Sequence, residues 1–389
     1  MKRNLLAIAI PALLVAAGAN ASIEVWNKDG NKVDFYGRVK AANNITDRSQ
    51  VNEGDDTSAR LGMSGQTQIT DSVTGYGRWE YQADAGKNSD NEVRYAFAGL
   101  NFGDFGSFDY GRNDGVLKAI TAYTDVLPQF GGDAANNKWN VLSSRSKAVA
   151  TYRNNNVFGL TDDVSFAVQY ADNGDNSNTS DRFKGDEDHH DSREAYGANA
   201  QWRIFDTGLT AGAGYAQSTS SDHRHNTWTA GLKYDNYNLY LAANYFQSKL
   251  KNHGVWEKAT ALSDQDDENR LGNADQKIKG IELVAQYGFD LEVGRLTPSL
   301  AYVQHKLKTD SFSNAGEHHS SSNSPLVKYV SLGATYDLNK NFSAIVEYKF
   351  NLLDRNDLGA YRNTKGSDLE RSSKPGTKDV LGVGLIYQF

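Results

Sequence analysis

Along most of the chain apolar and polar residues alternate with a period of two. In "NLYLAANYF" Leu239, Leu241, Ala243 and Tyr245 share one face, and Tyr240, Ala242 and Asn244 the other. In "VSFAVQY" Val164, Phe166, Val168 and Tyr170 oppose Ser165, Ala167 and Gln169, and in "VEYKF" Val346, Tyr348 and Phe350 oppose Glu347 and Lys349. The last segment carries Leu381, Val383, Leu385, Tyr387 and Phe389 on one side. Successive side chains of a strand point to opposite faces, so this pattern predicts strands with one apolar and one polar or small face. A soluble β-sandwich would share it, and the connections decide between the two. Short turn signals recur at Thr70–Gly75, Phe102–Ser107, Phe158–Asp163, Phe205–Gly208, Tyr234–Asn238, Phe289–Gly294 and Asp337–Asn341. Between them lie longer polar loops, such as "ADNGDNSNTSDRFKGDEDHHDSRE" and "KTDSFSNAGEHHSSSNSP". Short turns on one side and long loops on the other mark a transmembrane β-barrel. Seven turns with both termini on the turn side predict eight hairpins, hence sixteen antiparallel strands. Closure is required because lipid offers no partner to an open sheet edge, and a ring of this size encloses water. Aromatics at strand ends (Tyr170, Phe205, Tyr234, Tyr287, Phe289, Tyr336, Phe389) fit girdles at the two interfaces.

The first 21 residues stand apart from that pattern. Lys2 and Arg3, an apolar stretch from Leu5 to Ala17 and Ala19-Asn20-Ala21 read as a secretory signal peptide over residues 1–21, leaving residues 22–389 for the barrel. The net charge is −7, and removing Lys2 and Arg3 makes the mature chain more acidic still. That balance excludes nucleic-acid binding, which needs a basic surface to displace counterions. The chain has 0 cysteines, so disulfides play no part.

Parity assigns charges to the inner wall. In "VDFYGRVK" Val33, Phe35 and Val39 face out and Asp34, Arg38 and Lys40 in; in "ARLGMSGQ" Leu61 and Met63 face out and Arg60 in. In "EVRYAFAG" the expectation is Val93, Tyr95 and Phe97 outside with Arg94 inside. In "RSKAVATYR" Arg145, Lys147, Thr151 and Arg153 are expected inside. Arg38, Arg60, Arg94 and Arg145 then form a basic stripe on one arc. Arg112 shares a face with Phe108 and Tyr110, which places a cation outside, where lipid penalises it. A lipid-headgroup rim or a neighbouring subunit would accommodate it, and the subunit interface is preferred.

The segment 114–144 is the longest connection and holds "YTDVLPQFGGD". Solvated loops gain nothing from Val126, Leu127 and Phe130, so the segment is expected to fold into the lumen. It would rest those three on the wall and leave Asp125 and Asp133 at the channel, with Gly131-Gly132 supplying backbone freedom. Carboxylates facing guanidiniums across a water-filled narrowing create a transverse field, and such charge rows set ion preference.

At this point the residues match a known pattern. "NKDGNKVDFYGRV", "ARLGMSGQTQI", "TGYGRWEY", "AFAGL", "GSFDYGRN", "YTDVLPQFGGD", "VATYRNNNVFGL", "FAVQY", "LYLAANY" and "IYQF" fall in the order seen in the trimeric general porins of enterobacterial outer membranes, the osmoporin and phosphoporin family, which the chain resembles. The resemblance implies a homotrimer of sixteen-stranded barrels in the outer membrane, each passing small hydrophilic solutes and ions passively. It implies a constriction with Asp125, Gln129 and Asp133 on the loop and Arg38, Arg60, Arg94 and Arg145 on the wall. It also implies that Arg112 receives the second-loop latch of the adjacent subunit, whose acid is not assignable among Asp84, Asp90 and Glu92. Gln129 stands where the family usually has a glutamate, Lys118 where an uncharged aromatic is usual, and Glu92 where a second basic residue is often found. These departures leave ion preference open.

An enzyme would need a nucleophile beside a base. No G-x-S-x-G occurs, and most of the eight histidines are read as loop residues (His189-His190, His223, His225, His318-His319) with no third metal ligand. No enzyme activity, cofactor or metal is expected. A sugar- or anion-specific porin is the alternative. Lipopolysaccharide, outer-membrane lipid and phage or bacteriocins are the expected partners beyond solutes.

Overall fold

The structure, a computed structural model, describes residues 22–47, 50, 53–86, 91–136, 139–172, 194–219, 225–256, 270–362 and 376–389. The expected leader at 1–21, Asp90, His189, His190 and His223 lie outside the described residues.

Alternation becomes a ring of sixteen antiparallel strands, each paired with its sequence neighbour. They are β1 (Asn31–Ile45), β2 (Ser58–Gln68), β3 (Thr74–Asp84), β4 (Asn91–Asn101), β5 (Ser107–Asp114), β6 (Arg145–Asn154), β7 (Val164–Ala171) and β8 (Glu194–Arg203). The ring continues with β9 (Leu209–Thr219), β10 (His225–Asn236), β11 (Leu239–Trp256), β12 (Arg270–Tyr287), β13 (Arg295–Thr309), β14 (Ser322–Asn339), β15 (Phe342–Asn351) and β16 (Val380–Gln388). β16 closes it on β1, from Arg38 opposite Gln388 to Ile45 opposite Leu381. Below that register a short strand at Ile23–Lys28 pairs with the start of β1 and extends the seam past the C-terminus. Gly37 and Phe389 exchange both backbone hydrogen bonds, at 2.8 and 3.0 Å, so the last residue is held in the ladder. Closure leaves no unpaired edge for lipid to meet.

The outer face is apolar where parity places it: Val39, Leu61, Met63, Leu100, Phe108, Leu241, Leu283, Leu300, Leu332 and Leu385 are all exposed. The seven short turns fall between the expected strands. One long loop departs from expectation: within "KTDSFSNAGEHHSSSNSP" Phe312–Asn314 pairs with Glu317–His319 as a small hairpin.

The register shifts at several points in the ring, and two of these β-bulges lie on the arc β3–β6. Between β3 and β4 the register shifts after Glu80, so Arg94 is an extra residue. Arg94 faces in as expected, but Tyr95 faces in too, against the parity expectation, and is 4 % exposed. Its hydroxyl donates to Asp114 at 3.0 Å. Phe97 follows it inward and meets Tyr76 edge-on. The second shift puts Lys147 and Ala148 of β6 against the single Arg112 of β5, between Gly111 and Asn113. A bulge inserts one residue and re-aims its neighbours. Both sit beside the arginine stripe.

Candidate functional site

The lumen is crossed by segment 115–144, which lies against the inner wall. It begins with a turn of helix, α1 (Lys118–Thr121), and a 3₁₀ turn at Ala122–Thr124. Its buried apolar residues pack in three groups. Val116, Leu117, Val141 and Leu142 join Val149, Ala167, Ala171, Ala195 and Ala216 on β6–β9. Ile120 and Tyr123 meet Ala242, and Ala134 and Trp139 meet Phe246, Leu250, Ile278, Leu307 and Leu326 on β11–β14. The loop's anchors therefore differ from the expected Val126, Leu127 and Phe130, which are only half-buried. The wall makes room for it: a Cβ at Gly212 would fall 2.4 Å from Ile120 Cδ1.

Hydrogen bonds finish the docking, and two buried glutamates accept four of them. Glu347 on β15 accepts from the Gln129 and Phe130 N–H groups at 2.7 and 2.9 Å and from the Ser331 hydroxyl. Glu282 on β12 accepts from the Ala134 N–H at 2.8 Å and from the Thr124 hydroxyl, with His305 Nε2 at 3.0 Å. Their side chains are about as buried as any in the protein, at 0 % and 1 %. A loop turned into a lumen has backbone donors that strand pairing does not satisfy, and these carboxylates satisfy several. Tyr123 Oη also donates to Gln201 Oε1 at 2.6 Å, and Tyr240 Oη to the Tyr123 carbonyl at 2.6 Å.

The expected loop residues occupy different surroundings. Asp125 is half-buried, and Gly132 (φ 66°) lets the chain pass beside its carboxylate. Burial raises the Asp125 carboxyl above its ordinary range; Lys118 pulls it down, while Glu282 and Asp133 push it up. Asp133 Oδ2 accepts from Tyr329 Oη at 2.6 Å, beside Lys349, whose ammonium stands 4.8 Å from the Tyr329 ring centroid. Gln129 reaches the start of the ring: its Nε2 donates to Asn44 Oδ1 at 2.8 Å and to Asp56 Oδ2 at 3.0 Å. Lys118 pairs with Asp114 at 3.1 Å.

The arginines gather on the arc β1–β6. Arg38 and Arg60 are directly opposite in the β1–β2 register. Arg60 Nε donates to Gln82 Oε1 at 2.5 Å and Arg94 Nη1 to the same oxygen at 3.3 Å. Arg94 Nε and Arg78 Nη2 both bind Glu80 at 2.6 Å, one on each oxygen, and Tyr36 Oη donates to the same carboxylate at 2.9 Å. Glu92 stands among three guanidiniums: Arg145 at 3.2 Å, Arg94 at 3.5 Å and Arg112 at 3.6 Å. Arg112 thus turns toward Glu92 of its own chain while its backbone pairs with Ala96, whose side chain is exposed. Arg153 pairs with buried Asp109, and Lys147 is exposed. Like charges in register repel, so acids that bind two or three guanidiniums each hold the stripe together.

Sequence reasoning did not single out Glu80, Arg78, Glu282 or Glu347. Parity held the signal for two of them: Glu282 lies between Ile281 and Leu283, and Glu347 between Val346 and Tyr348, all four exposed. The histidine reading also needs correction. His225, read as a loop residue, is buried at the start of β10; His253 and His305 are likewise buried in strands.

A closed barrel with an apolar outer band and a loop laid across a charged lumen defines an outer-membrane channel. The model of the family described as Gram-negative porin matches residues 28–389. Outer membrane protein F of Serratia marcescens is 41% identical over the whole of both chains, and outer membrane porin N of Escherichia coli is 40% identical, again over both. The solved Salmonella typhi OmpF complex with daunomycin superposes with a TM-score of 0.71 at 34% identity, covering 94% of this chain and 100% of that one. The chain belongs to the Gram-negative porins, and is a general porin of the outer membrane of a Gram-negative bacterium.

Proposed function

We propose that the protein is a non-specific diffusion channel for ions and small hydrophilic solutes, narrowed between segment 115–144 and the arginine arc. The observation that carries this is the loop bound inside the lumen by Glu282 and Glu347, with Arg38 and Arg60 in register on the arc β1–β6 of the same inner wall. Asp125, Gln129 and Asp133 form the loop side of the constriction. Gln129 serves as a neutral tether to Asn44 and Asp56 rather than as a charge. No catalytic role is assigned to any residue, because the polar clusters bind one another and the loop.

The assembly is a homotrimer, with Arg112 and its Glu92 partner on the contacting wall. Lipopolysaccharide surrounds the outer half of the barrel. In planar bilayers the purified protein gives ohmic steps in threes; failure to conduct in any salt would overturn the reading. An anion-preferring channel is the second reading. It is favoured by the arc's arginine count against Glu80 and Glu92 and by Lys118 and Lys349 on the loop side. The sign of the reversal potential in a salt gradient separates the two.

A further inference from the structure

At the outer mouth of the ring, the loop ends of β11–β14 enclose a cavity of about 530 Å³. Trp139 of segment 115–144 borders it from the lumen. Parity puts its wall residues inside the ring: Gln276 falls in phase with buried Ile278, Thr309 with buried Leu307, and Ser322 and Ser324 with buried Leu326. The hairpin that carries Phe312 and His319 and the start of a short helix, α2 (Leu358–Arg362), complete the lining. A solute entering from outside meets this cavity before it meets the narrowing.

The lining combines rings with neutral hydrogen-bonding groups. Phe312 and His319 stack with centroids 4.6 Å apart and planes at 17°, and both stay partly exposed. Trp139 meets His253 edge-on at 5.4 Å. Beside them a chain of buried side chains crosses three strands. His253 Nδ1 donates to Gln276 Oε1 at 2.8 Å, and Gln276 Nε2 donates to Thr309 Oγ1 at 3.2 Å. A hydroxyl that accepts keeps its own proton for another partner, so Thr309 can donate into the cavity. Ser324 is in the same state, accepting from the Leu358 N–H at 2.8 Å. Ser322 and Asn356 add further groups that both donate and accept. Asp357, which accepts from the Asp354 N–H at 2.7 Å, is the carboxylate of the lining, and among the described residues no lysine or arginine borders the cavity.

That chemistry narrows the occupant. A phosphate or carboxylate would bring a charge that nothing in the cavity neutralises, and a pure hydrocarbon would leave hydroxyls and amides without partners. A sugar ring presents a face of C–H groups to the aromatic rings and a rim of hydroxyls to the donors and acceptors around them. We propose that the cavity is a low-affinity subsite for a neutral mono- or disaccharide, held on the outer side of segment 115–144. The proposal rests on the reading of the protein as a diffusion channel and adds to it a residence point ahead of the narrowing. Millimolar affinity fits that role, because a solute in transit must bind weakly enough to leave.

The test titrates glucose and sucrose into the purified protein, in a detergent without a sugar headgroup, and follows bound sugar by saturation-transfer NMR. Wild type gives saturable binding in the millimolar range. Phe312→Ala with His319→Ala, both in the outer hairpin, weakens it about tenfold through loss of the ring faces. Thr309→Val keeps the shape of the site, removes one hydroxyl and weakens binding about fivefold. A signal that never saturates, or affinities unchanged in both variants, would overturn the proposal. Tighter binding of glucose 6-phosphate that ignores the ring variant would overturn it too, by moving the sugar to the arginine arc. Displacement of the sugar by indole at lower concentration would reassign the cavity to flat aromatic solutes. Conduction is read separately on the same preparations: its absence in the wild type would defeat the channel reading and leave the sugar result standing.

Discussion

Two sectors of the inner wall use glutamate in opposite ways. On the arc β1–β6 Glu80 and Glu92 are ligated by guanidiniums, two at Glu80 and three at Glu92. On β12 and β15 Glu282 and Glu347 meet no arginine among the described residues and accept backbone N–H and hydroxyl donors from the loop and from the wall beside it. The same side chain thus organises a positive surface on one side and anchors a backbone on the other. What differs is the partner that burial supplies. A bulge feeds Arg94 and Tyr95 into the lumen together in the first sector. Apolar inward residues such as Phe246 and Ile278 seat the loop in the second.

The sharpest way to break the contrast is to remove the anchors. Glu282→Ala with Glu347→Ala leaves four groups of the loop, three N–H and one hydroxyl, without their acceptors, a loss on the order of 3 kcal/mol per carboxylate. The loop should detach, with larger and noisier single-channel conductance and an earlier thermal unfolding of the barrel. Unchanged conductance would show that the apolar groups alone hold it. Glu80→Gln on the other arc should leave conductance size nearly intact and frees Arg78 and Arg94.

Next in size is Arg60→Ala with Arg94→Ala, which strips the arc of charge. The reversal potential in a salt gradient should move toward cation preference, and a static value would place the narrowest point elsewhere. Asp125→Asn gives a smaller effect with a pH signature. Because burial raises its carboxyl, Asp125 becomes neutral on acidification before ordinary carboxylates do. Wild type should shift toward anion preference at a pH above the usual carboxylate range, measured by reversal potential, and the Asn variant should lack that step. Gln129→Glu should shift selectivity least. It replaces a donor to Asn44 and Asp56 with a carboxylate facing Asp56, so repulsion at the loop tip should accompany any added charge. A cation shift as large as that of the paired arginine variant would show Gln129 projecting into the open channel.

Local alternation and turn chemistry were enough to determine the strand count, the closed ring and the sign of nearly every face, because a period of two is read directly from neighbouring residues. Arg38, Arg60 and Arg94 were legible in this way. Segment 115–144 was also legible as unusual, since its apolar residues had no reason to face water. Where it would rest was not. The wall partners of the buried anchors Ile120, Tyr123 and Trp139, the glycine at 212 that admits Ile120 and the acceptors Glu282 and Glu347 belong to strands up to about two hundred residues away in sequence. Tyr95 was misplaced because a bulge shifts parity by one residue without changing composition. Tertiary structure alone decided which inward residues meet the loop and which meet the channel, because a closed ring brings distant strands face to face across one lumen.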